Sequence, residues 1–252
     1  MANNQKPLGI IAIGHSGLTG ESSDPSRLGQ DAPENSWATG TNPAVNSIYQ
    51  RLVAVEPEAE GHVANLAEGG AVARQLANQA KQALQLVPAP QLVIIQTIDN
   101  DIRCDGSDDK NIPIFGDTLT KALDSIVAAT PNSRILMVSQ PGRPAGFAAA
   151  VASNPAAKDK YEGNGICDLF NLDGSINQDH INTLTSIIER YEAEQERVCA
   201  AFPQCSTDHG ALTKYKDNLG DLAGDWTHLA VRGHTQLAEL IWPIVAQELG
   251  VK

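Results

Sequence analysis

The sequence predicts a three-layer α/β/α sandwich built on a mostly parallel central sheet, in one domain spanning residues 1–252. Three observations carry that expectation. Leu8–Ile13, Leu92–Thr97 and Ile135–Val138 are near-continuous aliphatic runs, the signature of strands covered on both faces. Longer segments with apolar residues three and four apart separate them, which is the helical period. Strand-type and helix-type segments alternate, and that order implies parallel pairing through right-handed crossovers.

Leu8–Ile13 is the first strand. Asn42–Val55 reads as an amphipathic helix with Ala44, Val45, Ile48, Leu52 and Val55 on one face, and Val63–Leu66 as a short second strand. Ala71–Leu86 places Leu76, Ala80 and Leu84 together on a helix face, and Pro88 and Pro90 stop it. Leu92–Thr97 is strand, Leu119–Ala129 helix and Arg134–Ser139 strand. Ile181–Phe202 and Val231–Leu249 are the last long helices. Two stretches break the rhythm. Residues 103–116 and 141–180 are rich in Gly, Pro, Asn and Asp, and are expected to be long loops that rim a site above the sheet.

The net charge of −12, with no clustered Lys or Arg, argues against a nucleic-acid or anionic-membrane partner. No apolar run is long enough to span a bilayer, and a monomer is expected. The four cysteines, Cys104, Cys167, Cys199 and Cys205, match no zinc spacing, so their even number reads as two disulfides. The short separation of Cys199 and Cys205 suggests that they pair, leaving Cys104–Cys167; two other pairings stay open, as does the reading of four buried thiols. Disulfides place the protein in a secreted or extracytoplasmic setting. Met1–Pro7 is polar and does not resemble a secretory leader, so the expectation is that a leader has been removed.

Four segments carry candidate chemistry. "LGIIAIGHSGLTGES", Leu8 to Ser22, puts Ser16 just past the first strand, at the carboxyl edge where parallel sheets collect ligand-binding residues. A lone serine there more often caps a turn; as a nucleophile it needs a base. "GDWTHLAVRGH", Gly224 to His234, offers one, with Asp225 three residues before His228 and so placed to hold one imidazole nitrogen while the other faces a hydroxyl. "VIIQTIDNDIRCDG", Val93 to Gly106, delivers Asn100 at the end of a buried strand, where a side-chain amide can donate to a developing oxyanion or satisfy a turn. "ANLAEGGAVARQL" joins strand to helix through Gly69 and Gly70, where a bare backbone N–H can approach a ligand.

In this order and spacing, "GHSGLTG", "NLAEGG", "IDND" and "DWTH" resemble the four sequence blocks of the SGNH (GDSL-type) hydrolases, over almost the whole chain. The resemblance implies the flavodoxin-like fold of that family and a serine esterase without metal or organic cofactor. It implies Ser16 as nucleophile, His228 as base and Asp225 as its orienting carboxylate. Gly70 and Asn100 would complete an oxyanion hole with the Ser16 amide, the five-residue distance from Asn65 favouring Gly70 over Gly69. Two positions depart from the family pattern: His15 stands where an aspartate is usual before the serine, and Ile98 where a glycine is usual before Asn100. An α/β-hydrolase nucleophile elbow is excluded because Leu18 occupies its second glycine.

The expected substrate is a small-molecule, carbohydrate or lipid ester. With three Trp and four Phe, an open polar-rimmed groove for short acyl chains is expected rather than a deep lipid tunnel, and acetylated sugars fit it. A lipase or acyltransferase of the same family, and a non-catalytic carbohydrate- or surface-binding module on the same scaffold, are the competing readings.

Overall fold

Successive strand residues point to opposite faces of a sheet, and here that alternation builds two separate halves of the core. In the computed structural model, which describes residues 6–251, five strands form one parallel sheet in the order β2-β1-β3-β4-β5. They are β1 (Ile10–Gly14), β2 (Val63–Asn65), β3 (Leu92–Gln96), β4 (Arg134–Met137) and β5 (Cys205–Thr207). Ile11, Ile13, Val93, Ile95, Ile135 and Met137 pack on one face under α2 (Leu76–Leu86), α3 (Asp108–Ala129) and α6 (Gln178–Cys199). Ile10, Ala12, Leu92, Ile94, Leu136 and Val138 pack on the other under α1 (Ile48–Val55) and α7 (Val231–Leu249). Two helical layers enclosing one parallel sheet make the expected three-layer sandwich. Residues 1–5, most of the polar N-terminal stretch, lie outside the described residues.

The strand order positions the site. The chain leaves β1 towards β2 on one side, and leaves β3 towards β4 on the other. Between two such neighbours the connections diverge and open a crevice at the carboxyl edge. Ser16 follows β1 and Asn100 follows β3, so the two residues flank that crevice.

Several boundaries depart from the sequence expectation for local physical reasons. Helix α1 starts at Ile48 rather than Asn42, because Ser47 accepts from the Gln50 amide while Gln50 accepts from the Ser47 amide, a capping box that fixes the start. Helix α3 begins at Asp108, so residues 108–116 are not the loop their Pro and Gly suggest. Asp108 and Asp109 suit the positive end of the helix dipole. Gly116 faces the Glu194 side chain of α6, which would have to turn aside for a Cβ at this position.

Residues 141–180 are likewise not one long loop. They contain α4 (Pro144–Val151) and the single turn α5 (Pro155–Lys158), gathered around a small core of Ala148, Val151, Ala157, Leu169, Phe170 and Ile181. Two disulfides join Cys104 to Cys167 and Cys199 to Cys205, with Cα separations of 5.4 and 5.3 Å. The first ties the loop after β3 to this inserted unit. The second closes the turn between α6 and β5. No described helix is long and apolar enough to cross a membrane.

Candidate active site

The turn after β1 places Ser16 by close backbone approach. Gly14 has φ 142°, and a Cβ there would meet the Gln96 carbonyl at 1.8 Å, so only glycine lets the strand end turn here. The Gln79 side chain clamps this residue, accepting from its amide at 2.8 Å and donating to its carbonyl at 3.0 Å. His15 caps the short turn Ser16–Leu18, its Nδ1 accepting from the Gly17 amide at 3.1 Å. An aspartate oxygen could make the same bond, so the histidine keeps the cap that this turn needs. Burial pushes the His15 imidazole below its ordinary range and keeps it the neutral acceptor this cap requires.

At the other end of the chain, Asp225 organises its own turn. One carboxylate oxygen accepts from the backbone amides of Thr227 and His228, both at 3.0 Å. The other lies 2.7 Å from His228 Nδ1. The three-residue spacing therefore works locally: the carboxylate that caps the turn is held against the ring. His228 Nε2 in turn lies 3.0 Å from Ser16 Oγ. Burial opposes ionisation of Asp225, but hydrogen bonds from Ser22, His228 and the turn amides outweigh it and hold the carboxyl well below the usual carboxylate range.

Gly69, Gly70 and Asn100 line an open, polar pocket with Ser16 and His228. The two loops that carry them are tied together: Asn100 Nδ2 donates to the Ala71 carbonyl at 3.1 Å, and the buried Asp101 carboxylate accepts from the Ala73 amide at 3.0 Å and the Thr97 hydroxyl at 3.0 Å. Ile98 adopts φ 88°, a conformation a glycine takes freely and a β-branched side chain pays for with about 1–3 kcal/mol. Its side chain is fully buried in the core under α2 and α3, and that burial holds it there.

On the other side of Ser16 lies a second space, a cavity of about 360 Å³. Ile102, Phe147, Leu169, Leu184, Ile188, Leu222, Leu229 and Leu237 make its walls mainly apolar, and the Cys104–Cys167 bridge forms part of them. The low aromatic content does not announce this cavity, because its walls are mostly aliphatic residues brought together from the inserted unit, α6, the segment before α7 and α7 itself. Deeper in the lining, Asp217 is pushed up to about 6 by burial.

Other residues of the site carry no signal in the sequence. Tyr161 Oη donates to the Trp226 carbonyl at 2.9 Å, and Lys160 Nζ donates to the Asp225 carbonyl, so the inserted unit latches the turn that holds His228. Glu21 brings a carboxylate oxygen to 3.5 Å from His228 Nε2. His234 makes no hydrogen bond to the relay; it is buried in α7, its imidazole lowered to about 4 by desolvation and by the nearby His228. Among the described residues no group of three or more His, Cys, Asp or Glu side chains could hold a metal ion.

Comparison with known proteins supplies the family. The sequence profile of the GDSL-like lipase/acylhydrolase family matches residues 10–241. The chain belongs to that family. It is therefore a carboxylic ester hydrolase, and the matched range contains all four blocks singled out in its sequence. No curated protein sequence matches it significantly.

Solved structures share the fold at low identity. A putative GDSL-like lipase from Parabacteroides merdae ATCC 43184 matches with a TM-score of 0.58 at 13% identity, covering 100% of this chain and 99% of that one. A family 3 carbohydrate esterase from Clostridium thermocellum matches with a TM-score of 0.54 at 13% identity, covering 97% and 98%. An extracellular lipase from Streptomyces rimosus matches with a TM-score of 0.53 at 12% identity, covering 96% and 99%.

Proposed function

We propose that this GDSL-family hydrolase is a serine esterase that acts through an acyl-enzyme on Ser16. The observation that carries the proposal is the continuous relay Asp225–His228–Ser16, with contacts of 2.7 and 3.0 Å. His228 takes the Ser16 proton as the hydroxyl oxygen attacks the ester carbonyl. Asp225 fixes the ring so that Nε2 faces the serine, and stabilises the imidazolium that forms. The oxyanion develops against the amides of Ser16 and Gly70 and the Asn100 side chain. His228 then protonates the departing alcohol, and water repeats the sequence on the acyl-enzyme.

The two spaces beside Ser16 divide the substrate. The acyl chain enters the apolar cavity of about 360 Å³. That exceeds what an acetyl group fills, so short to medium acyl chains fit and a palmitoyl chain overfills it. The alcohol faces the open pocket, where Glu21, Gln30, Asp31, Asp99 and Asn100 provide polar groups and no Lys or Arg lines the surface. A hydroxyl-rich alcohol such as a sugar suits that lining. The two disulfides support an extracytoplasmic location, where such bonds persist.

Hydrolysis of p-nitrophenyl esters from acetate to palmitate by the wild type and by Ser16→Ala tests both parts. Ser16→Ala abolishes turnover. Wild-type kcat/KM rises roughly fourfold per methylene while the cavity fills, from about 0.8 kcal/mol per buried CH₂, and falls before palmitate. Full activity of Ser16→Ala would overturn the nucleophile, and a maximum at palmitate would overturn the cavity assignment.

A further inference from the structure

In the relay described above, His228 Nε2 has two oxygen neighbours. Ser16 Oγ is one, at 3.0 Å, and the Glu21 carboxylate is the other, at 3.5 Å. Glu21 sits on the loop that continues from the nucleophile, with its amide donating to Thr19 Oγ1 at 3.2 Å. Its Oε2 would be 3.1 Å from a Cβ placed on Gly69. The side chain is partly buried, 22% exposed, and it forms no ion pair with Lys or Arg among the described residues. It therefore stands on the open side of Ser16, beside the proposed oxyanion donors and away from the acyl cavity.

A carboxylate in that place works against an oxyanion unless a hydrogen lies between them. The relay itself supplies no such hydrogen while Nε2 is engaged with Ser16. The incoming nucleophile of the second half-reaction does. A water that gives one hydrogen to Nε2 has a second hydrogen left over, and an acceptor 3.5 Å from Nε2 is within reach of a water bonded to both.

Resting on the acyl-enzyme reading, we infer that Glu21 holds the hydrolytic water in deacylation and biases the enzyme towards water over alcohol acceptors. The water oxygen attacks the acyl carbonyl carbon as one O–H proton passes to His228 Nε2. The second hydrogen stays on the oxygen, donated to Glu21 throughout. The tetrahedral intermediate collapses with cleavage of the bond to Ser16 Oγ, which recovers the proton from Nε2, and the carboxylic acid leaves. An alcohol has a single hydroxyl hydrogen. It can give that hydrogen to Nε2 and has none for Glu21, so the carboxylate helps water alone.

The test uses p-nitrophenyl butanoate with the intact protein and its Glu21→Gln and Glu21→Ala variants, with and without methanol. Acylation is read from the first turnover of p-nitrophenolate, and the fate of the acyl group from the ratio of methyl butanoate to butanoate. Losing a hydrogen bond to an ionised acceptor should slow deacylation by water roughly 10- to 100-fold, more than it slows acylation. The methyl ester to acid ratio should rise by a similar factor in Glu21→Ala, and by less in Glu21→Gln, whose amide oxygen still accepts. A general structural role would lower acylation and deacylation together and leave the product ratio unchanged, and that result overturns the inference. Undiminished hydrolysis by Ser16→Ala would overturn the acyl-enzyme reading as well, whereas an unchanged ratio with Ser16 essential overturns the role of Glu21 alone.

Discussion

Replacing Cys104 and Cys167 together by alanine probes stability and the acyl cavity in one experiment. The bridge spans 63 residues of sequence. Its removal frees loop entropy in the unfolded chain of roughly 14 cal/mol/K, about 4 kcal/mol at 25 °C. The Cys199–Cys205 bridge spans 6 residues, and the same relation gives about 2 kcal/mol. At about 2.1 cal/mol/K per residue of unfolding entropy, a chain of 252 residues should lose about 8 °C of Tm from the first double substitution and about 4 °C from the second. The functional part is separable, because Cys104 and Cys167 line the cavity and Cys199 and Cys205 do not. Thermal melts and a p-nitrophenyl ester series from acetate to octanoate read both effects. The Cys104/Cys167 variant should lose more kcat/KM on octanoate than on acetate, flattening the gain per methylene, while the Cys199/Cys205 variant keeps the wild-type slope. Equal melting losses in the two variants would refute the loop-entropy argument. An unchanged slope in the Cys104/Cys167 variant would refute the placement of the acyl chain.

Asn100→Ala should lower kcat by on the order of 10²–10³ if its amide meets the oxyanion, whereas a loss within a few-fold would leave it with only its bond to the Ala71 carbonyl. Tyr161→Phe removes the donor to the Trp226 carbonyl; it should lower kcat several-fold with KM little changed, and an equal loss of Tm and no loss of kcat would make the latch purely structural. Asp217 has its folded pKa raised to about 6 by burial, so its ionisation penalises the native state as pH climbs from about 4 through 6 and the penalty is complete above that. Asp217→Asn should therefore stabilise the protein at pH 7.5 by roughly 1–3 kcal/mol and not at pH 4, as melts at the two pH values would show.

Much of this protein is local in the sequence, and those parts were legible there. The aliphatic runs of β1, β3 and β4 announce buried strands because both sheet faces are covered, and the apolar spacing of α7 marks it over Val231–Leu249 as the structure has it. The Asp225–His228 pairing is similarly local, since one carboxylate both caps the turn and holds the ring. Other features exist only by packing. Strand β5 has three residues and becomes a strand because β4 offers it an edge, with no period of its own to reveal it. Helix α3 starts at Asp108 despite its Pro113 and Gly116, because Asn111, Phe115 and Leu119 are buried against the body of the protein, a tertiary contact that no local propensity announces. The inserted unit gains its shape from a private core, and the cavity beneath it is bounded by residues far apart along the chain. Glu21 reaches His228 across 207 residues of sequence, a meeting that no spacing rule encodes and that arises because β1 and β3 part at the centre of the sheet and draw the two ends of the chain to one crevice.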